Sequence, residues 1–297
     1  MRVLMITGDK TFGVGHERYK LQRSVVDELA VVYFGRGAVW PKVPKGQWDV
    51  VTAQDPFWRG LFAWRVARHL GAKLNVQVHT DLSVYGWFKH MLAAFVLRKA
   101  TTMRVVSNKI KQQVESMGIH AKIFVLSVYV DASHFKNLAR EPHDKKNILW
   151  LGRFEDEKDP LLAIAVYKEV LKNIPDAKLI MLGKGSLESK LREEARAGNN
   201  VEFPGWQDPV TYLSTADVVL STSKHESWGA SIVEALAAGV PVVAPDVGIA
   251  REAGAIVAPR AELAKAVVEA LHSGTRGVLT LPLLTQDVWA RAWVATL

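Results

Sequence analysis

Short, continuous apolar runs alternate along this chain with longer stretches in which apolar residues recur every three or four positions. That is the pattern of buried parallel strands joined by amphipathic helices. Arg2–Thr7 reads as a buried first strand, with Gly8, Gly13 and Gly15 in the loop after it, a helix over 18–29 and a strand over 31–34. Residues 49–53 predict another strand, 60–70 a helix, and Lys73–Val78 a strand ending on His79-Thr80-Asp81. A helix over 84–100, a strand and loop over 104–107 and a helix through Met117 follow. Residues 136–146 are polar and contain a proline, which places a domain boundary there. A second α/β series then begins: strands at Asn147–Leu151 and Lys178–Leu182, helices over 162–171, 211–216 and 262–271, and a last helix over 288–297. The expected organisation is an α/β domain over 1–140 and a second over 141–284.

Residues 218–244 carry the densest concentration of polar chemistry in this pattern. Val218-Val219-Leu220 is the end of a buried strand and 221–227 a polar loop. Gly229 opens a helix bearing Ile232, Val233, Leu236 and Ala237, Gly239 stops it, and 240–244 is the next strand. That order sets the loop at the carboxyl edge of a parallel sheet, where open α/β sheets bind ligands. The loop offers Lys224, His225 and Glu226, and Glu234 follows eight residues later in the early turns of the helix. The helix N-terminus between the two carboxylates carries free N–H groups and partial positive charge, which suits a phosphate. A carboxylate on either side of a phosphate can hold two hydroxyl-bearing rings, the geometry a nucleotide-sugar needs.

Composition narrows the function classes. At 297 residues, 49% apolar and 23% charged, the chain is ordinary for one large or two average globular domains. It has no cysteine, which excludes disulfides, thiolate nucleophiles and cysteine-ligated metals and fits a reducing, cytoplasmic setting. The opening MRVLMITGDK is too short an apolar run for a signal peptide, and no run reaches transmembrane length. Charge is uneven: 21 Lys and Arg face 9 Asp and Glu over residues 1–140, against 17 and 21 over the remainder. The first half therefore meets something anionic. Residues 84–100 combine Trp87, Phe88, Met91, Phe95 and Leu97 with Lys89, His90, Arg98 and Lys99. They read either as a core-facing helix with a solvated face or as a helix lying on anionic lipid at the inner face of a membrane. Nucleic acid is disfavoured, because no recognition motif accompanies the charge.

The segment HESWGASIVEALAAGVPVVA resembles the E-x7-E segment of retaining glycosyltransferases of the GT-B fold, most closely glycosyltransferase family 4, the group 1 family. The resemblance implies two Rossmann-like parallel-sheet domains facing a cleft, with a C-terminal helix (285–297) crossing back to the first. It implies that Glu226 contacts the donor sugar and Glu234 the ribose, with Ser227, Trp228, Gly229 and Ile232 completing the donor site. Gly152-Arg153…Lys158 is similar to the family's diphosphate-holding element, and Gly183-Lys184-Gly185 to its glycine turn near the nucleotide. Trp206 falls beside the nucleobase, His79 on the acceptor side, and Gly13 and Gly15 near the donor phosphates. Residues 123–126 with 128–131 correspond to the strand leaving the first domain. The first domain is shorter than usual, its glycine loop lacks the double glycine, and only Gly248 remains of two glycines near the sugar.

The implied activity moves a sugar from a UDP- or GDP-sugar to a hydroxyl acceptor, a glycan or lipid precursor, with retention and no metal or other cofactor. An epimerase or phosphorylase of the same fold, or a catalytically weak nucleotide-sugar or membrane-binding partner protein, are the alternatives.

Overall fold

The computed structural model describes residues 1–35, 41–132, 134–136, 138–196 and 200–297. The chain divides into two compact units, Met1–Tyr129 with Leu284–Leu297, and Val130–Leu283.

The first unit begins β1 (Arg2–Thr7), α1 (Glu17–Arg23), β2 (Glu28–Tyr33), β3 (Val50–Ala53) and α2 (Trp58–Leu70). It continues with β4 (Lys73–Val78), α3 (Trp87–Leu97), β5 (Thr102–Val105), α4 (Asn108–Ser116) and β6 (Lys122–Val125). These strands form one parallel sheet in the order β2-β1-β3-β4-β5-β6. Two elements differ most from the sequence expectation. α1 ends at Arg23, six residues short of Leu29. Ser24 turns its hydroxyl onto the Leu21 carbonyl at 2.9 Å, β-branched Val25 and Val26 disfavour another helical turn, and Glu28 already pairs with Arg2 of β1. Residues 128–131 are not a strand. The carbonyls just before them are taken by side chains: Arg104 donates to Leu126 O (3.1 Å) and Ser127 O (2.7 Å), and Trp289 Nε1 to Ser127 O (2.9 Å).

The second unit runs β7 (Asn147–Leu151), α5 (Pro160–Val170), β8 (Lys178–Leu182), α6 (Glu188–Ala195), β9 (Val201–Gly205) and α7 (Pro209–Leu213). After these come β10 (Val218–Leu220), α8 (Ala230–Ala237), β11 (Val242–Ala244), α9 (Ala250–Ala253), β12 (Ile256–Val257) and α10 (Leu263–Ser273). Its sheet is also parallel, in the order β12-β11-β10-β7-β8-β9. The chain enters this unit at Val130, ahead of the polar stretch 136–146. That stretch is fastened to the end of α7, with Arg140 Nη1 donating to Leu213 O at 3.1 Å and Glu141 N to Ser214 O at 3.0 Å.

The final helix, α11 (Gln286–Thr296), returns to the first unit, as the resemblance implies. Its Trp289 and Trp293 are fully buried with Val3, Met5, Val50 and Leu126. The second core is built on Trp150, Phe154, Tyr167, Leu179 and Val218, with Leu263, Val267 and Leu271 of α10 packed into the same cluster. Among the described residues no helix is long and apolar enough to cross a membrane.

Candidate active site

Strand order positions the chemistry. In the second unit β7 and β10 are neighbours, and the sheet grows outward from them in opposite directions. The connections leaving these two strands therefore diverge and open a crevice at their carboxyl ends, the place where doubly wound sheets bind ligands. The loop after β7 carries Gly152 to Asp159 and the loop after β10 carries Ser221 to Gly229. They are tied together. Lys224 N donates to Glu157 O at 2.9 Å, and the Thr222 hydroxyl donates to Asp159 O at 2.8 Å while accepting Trp150 Nε1 at 2.9 Å. Arg260 donates to Thr222 O at 2.8 Å and pairs with the Asp159 carboxylate. Asp159 has φ 46°, the one left-handed non-glycine backbone among the described residues, so this clamp holds a conformation the chain would otherwise resist.

The clamp brings Lys158 and Glu226, 68 residues apart in sequence, into a salt bridge, and Ser223 Oγ donates to the same Glu226 Oε1 at 2.9 Å. Both charged side chains are largely sheltered from water. Arg153, five residues before Lys158, is different: its side chain is 63% exposed, and among the described residues its one hydrogen-bond partner is the neighbouring Glu157, at 2.7 Å. A solvated pair of this kind is worth little and exchanges readily, so the guanidinium is available to an incoming anion.

Glu234 lies in the second turn of α8, behind the left-handed Gly229 (φ 112°) that starts the helix. It is half-buried, and among the described residues its carboxylate has no hydrogen-bond or ion-pair partner. Burial raises its pKa above the ordinary 4.5. A carboxyl whose folded pKa lies above its unfolded value stabilises the fold fully below the unfolded value. That contribution is lost as pH rises through the folded value. Glu234→Gln is thus expected to remove a loss of stability that sets in above about pH 4.5. The variant should melt at or above the wild-type temperature at pH 7 while binding nucleotides more weakly, read from melting curves between pH 4 and 8.

Of the other donor-site candidates, Gly183 presses its loop directly on the loop after β7, since a Cβ there would lie 1.8 Å from Gly152 O. Trp206, just after β9, is 64% exposed and offers a ring face. Ser227 is half-buried, whereas Trp228 and Ile232 are buried and support the loop from beneath. Gly248 (φ 55°) approaches Trp228 O so closely that a Cβ would stand 2.4 Å away, and Ile249 N donates to that carbonyl at 3.0 Å.

His79 belongs to the first unit, at the end of β4. Its Nε2 lies 3.1 Å from Gln77 Oε1, an oxygen that also accepts Arg104 Nη1 at 2.9 Å. Gln77 Nε2 donates to Thr52 Oγ1 at 2.8 Å, which in turn donates to Asn75 Oδ1 at 2.7 Å. Because Gln77 Oε1 can only accept, His79 carries its proton on Nε2, and Nδ1, which has no partner among the described residues, is an acceptor. Desolvation, reinforced by the Arg104 and Arg18 cations, holds His79 well below its ordinary pKa of 6.5, so it is neutral. Arg104 is itself buried with no carboxylate partner among the described residues, and desolvation pushes its pKa down to about 9. Gly13 and Gly15 lie in the loop after β1. Neither has a positive φ, and a Cβ on either would meet open space, so nothing in this unit requires glycine there.

Sequence patterning did not single out Gln77, Arg104, Ser223 or Arg260. For Gln77 a signal existed: Asn75, Gln77 and His79 alternate along β4 and share one face of the strand. The partners of Arg260 lie 37 to 101 residues away, which no local pattern reveals. No group of three or more His, Cys, Asp or Glu residues able to hold a metal occurs among the described residues.

Residues 131–276 match the family model described as "Glycosyl transferases group 1". Among curated proteins, the chain is 32% identical over 129 residues to 2-deoxystreptamine N-acetyl-D-glucosaminyltransferase of Niallia circulans, covering 41% of this chain and 33% of that protein. It is 25% identical over 231 residues to alpha-monoglucosyldiacylglycerol synthase of Streptococcus pneumoniae, covering 67% and 52%. The chain thus spans about half the length, or less, of these relatives. Among solved structures, Anabaena HepE in complex with UDP and glucose superposes with a TM-score of 0.72 at 15% identity, over 100% of this chain and 94% of that one. The lipopolysaccharide outer core galactosyltransferase WaaB, in its apo form, superposes at 0.71 and 17%, over 100% and 95%. Residues 131–276, most of the second unit, thus match the glycosyl transferases of group 1, in a chain that has the GT-B fold of two Rossmann-like parallel sheets.

Proposed function

We propose that the chain is a retaining glycosyltransferase that moves a sugar from a nucleoside-diphosphate-sugar to a hydroxyl acceptor. The observation that carries this reading is the pairing of opposites at one sheet edge. A cation–carboxylate pair, Lys158 and Glu226, sits on the diverging loops, and a half-buried carboxylate with no partner among the described residues, Glu234, sits on the helix that follows. Ribose hydroxyls would supply the donors that Glu234 lacks. The diphosphate would draw Lys158 and Arg153 to itself, freeing Glu226 to take hydroxyls of the sugar. As the glycosidic bond breaks, negative charge grows on the leaving diphosphate, and cations already in place stabilise it without reorganisation. With two protein cations in that role the reading needs no divalent metal. Neutral His79, with Nδ1 free to accept, would serve the acceptor side. No residue is assigned as a nucleophile: the leaving phosphate helps deprotonate the acceptor on the same face of the sugar.

That HepE holds UDP and glucose in a fold of this kind, and that several relatives are named as sugar transferases, supports the choice of donor class. The test is product stereochemistry. Purified protein is incubated with UDP- and GDP-sugars and hydroxyl acceptors, and the anomeric coupling of the product is read by proton NMR. A glycoside with the donor's anomeric configuration supports the reading. An inverted product removes the mechanism, and donor consumed without acceptor, or only with free phosphate, favours an epimerase or phosphorylase.

A further inference from the structure

α3 is apolar on both of its faces. Ala93, Val96 and Leu97 are buried in the first unit, as a core-facing helix requires. The opposite face presents Trp87 (74% exposed) and Met91 (62%), with Phe88 and Phe95 also exposed. Trp87, Met91 and Phe95 recur every fourth residue and form one stripe. The stripe does not end with the helix. Exposed Trp58, at the start of α2, has its ring centroid 6.4 Å from that of Phe88, which lies 6.1 Å from that of Trp87. A surface helix ordinarily keeps its outer face polar, and here that face is a continuous aromatic and thioether shelf.

The charge around the shelf is predominantly basic. Residues 55–115 contain ten Lys and Arg and three acidic residues: Asp81 is buried, Asp55 pairs with Arg59 and Glu115 with Lys111. Arg68, Lys89, Arg98 and Lys99 are exposed on α2, α3 and the turn that follows. Lys89 Nζ sits 4.5 Å from the Tyr85 ring centroid and has no carboxylate partner among the described residues. The shelf also borders a cavity of about 540 Å³. Trp58, Tyr85 and Lys89 line it together with Asp55, Arg59 and His79.

We propose that this face docks on an anionic lipid surface, and that the cavity beside it receives the polar head of a hydroxyl acceptor anchored in that surface. Tryptophan and phenylalanine enter the interfacial region of a bilayer, while lysine and arginine stems reach back to anionic headgroups. A soluble polyanion would use the charge but leave the aromatic shelf in water. A protein partner would need to offer an acidic apolar face where an anionic bilayer already supplies both. Part of this inference rests on the glycosyltransferase reading, since the acceptor has a meaning only within it. The docking stands on the surface alone.

The full chain is sedimented with vesicles of equal parts phosphatidylglycerol and phosphatidylcholine, and with phosphatidylcholine vesicles, at low and high salt. The variant Trp87→Ser/Phe88→Ser/Met91→Ser is run alongside. Wild type is expected to bind the anionic vesicles at least tenfold more tightly than the neutral ones, with affinity falling as salt rises. The variant is expected to lose at least tenfold, while keeping wild-type circular dichroism and nucleoside-diphosphate binding. Absence of binding to the anionic vesicles overturns the docking, as does undiminished binding by the variant. So does a wild-type dimer that the variant converts to monomer, because the shelf would then be covered by a second copy. For the acceptor, a long-chain alkyl glucoside held in the anionic vesicles is compared with water-soluble methyl glucoside. A preference for the embedded acceptor that the variant loses is the expected result. Equal use of both overturns that half of the proposal. Nucleotide binding, measured separately, shows whether a failure belongs to the lipid surface or to the donor site.

Discussion

Lys158→Ala is expected to lower sugar transfer by about a hundred- to a thousandfold, equivalent to about 2.7–4 kcal/mol of transition-state stabilisation, while leaving the protein folded. Lys158 is the sheltered cation of the pair on the diverging loops, and in that environment its charge is little screened by solvent. Its loss would fall on turnover because charge on the diphosphate grows in the transition state, and donor affinity should suffer less. The fold does not depend on this side chain. The loop after β10 remains fastened through Thr222, Lys224 and Arg260. Lys224→Ala is the control within the same loop: its ammonium forms an exposed pair with Asp156 at 2.6 Å, and its removal should leave turnover within a factor of about two. Steady-state kinetics of both variants with the preferred donor decide the matter, and equal losses in the two would deny Lys158 its special place.

The largest structural effect is expected at α11. Trp289→Ala should destabilise the first unit by about 3–5 kcal/mol, the range for truncating a buried tryptophan, against a typical domain stability of about 5–15 kcal/mol. Trp289 is 1% exposed, packs among the core residues of the first sheet, donates Nε1 to Ser127 O and lies beneath the Arg104 guanidinium at 5.2 Å. Its removal would open a cavity in that core and take away the aromatic face on which a desolvated cation rests. A fall of roughly 10 °C or more in the melting midpoint is the expected reading. Trp293→Phe should have a far smaller effect. Its ring is equally buried, but its Nε1 has no partner among the described residues, so losing that donor relieves a buried polar group.

Much of this architecture was legible because parallel strands covered on both faces read as unbroken apolar runs. Lys73–Val78, Asn147–Leu151 and Lys178–Leu182 lie at the bounds their patterns predicted. The helix over 18–29 came out shorter because periodicity alone does not weigh the cost of Val25 and Val26 against a strand beginning at Glu28. In the candidate site, the loops that hold Arg153, Lys158 and Glu226 could be placed from sequence, since each follows a recognisable strand. What sequence did not supply was pairing at long range. That Lys158 meets Glu226, that Arg260 fixes the strained Asp159, and that Arg104 and Gln77 set the tautomer of His79 all depend on which strands become neighbours. The face of α3 was legible as composition but not as orientation. Leu97 turned inward and Trp87 and Met91 outward, and only the packing of the helix against the first unit decides between them.

The donor site itself is tested most directly by melting the wild type, Arg153→Ala and Glu234→Ala against a panel of nucleoside diphosphates and nucleotide-sugars. A ligand at a hundred times its dissociation constant adds about 2.7 kcal/mol, well within reach of a melting curve. Stabilisation of the wild type by one nucleobase family, lost in both variants, is expected and would name the donor base. A folded wild type whose melting point no nucleotide raises would contradict the assignment of Arg153, Lys158, Glu226 and Glu234 to a nucleotide-sugar.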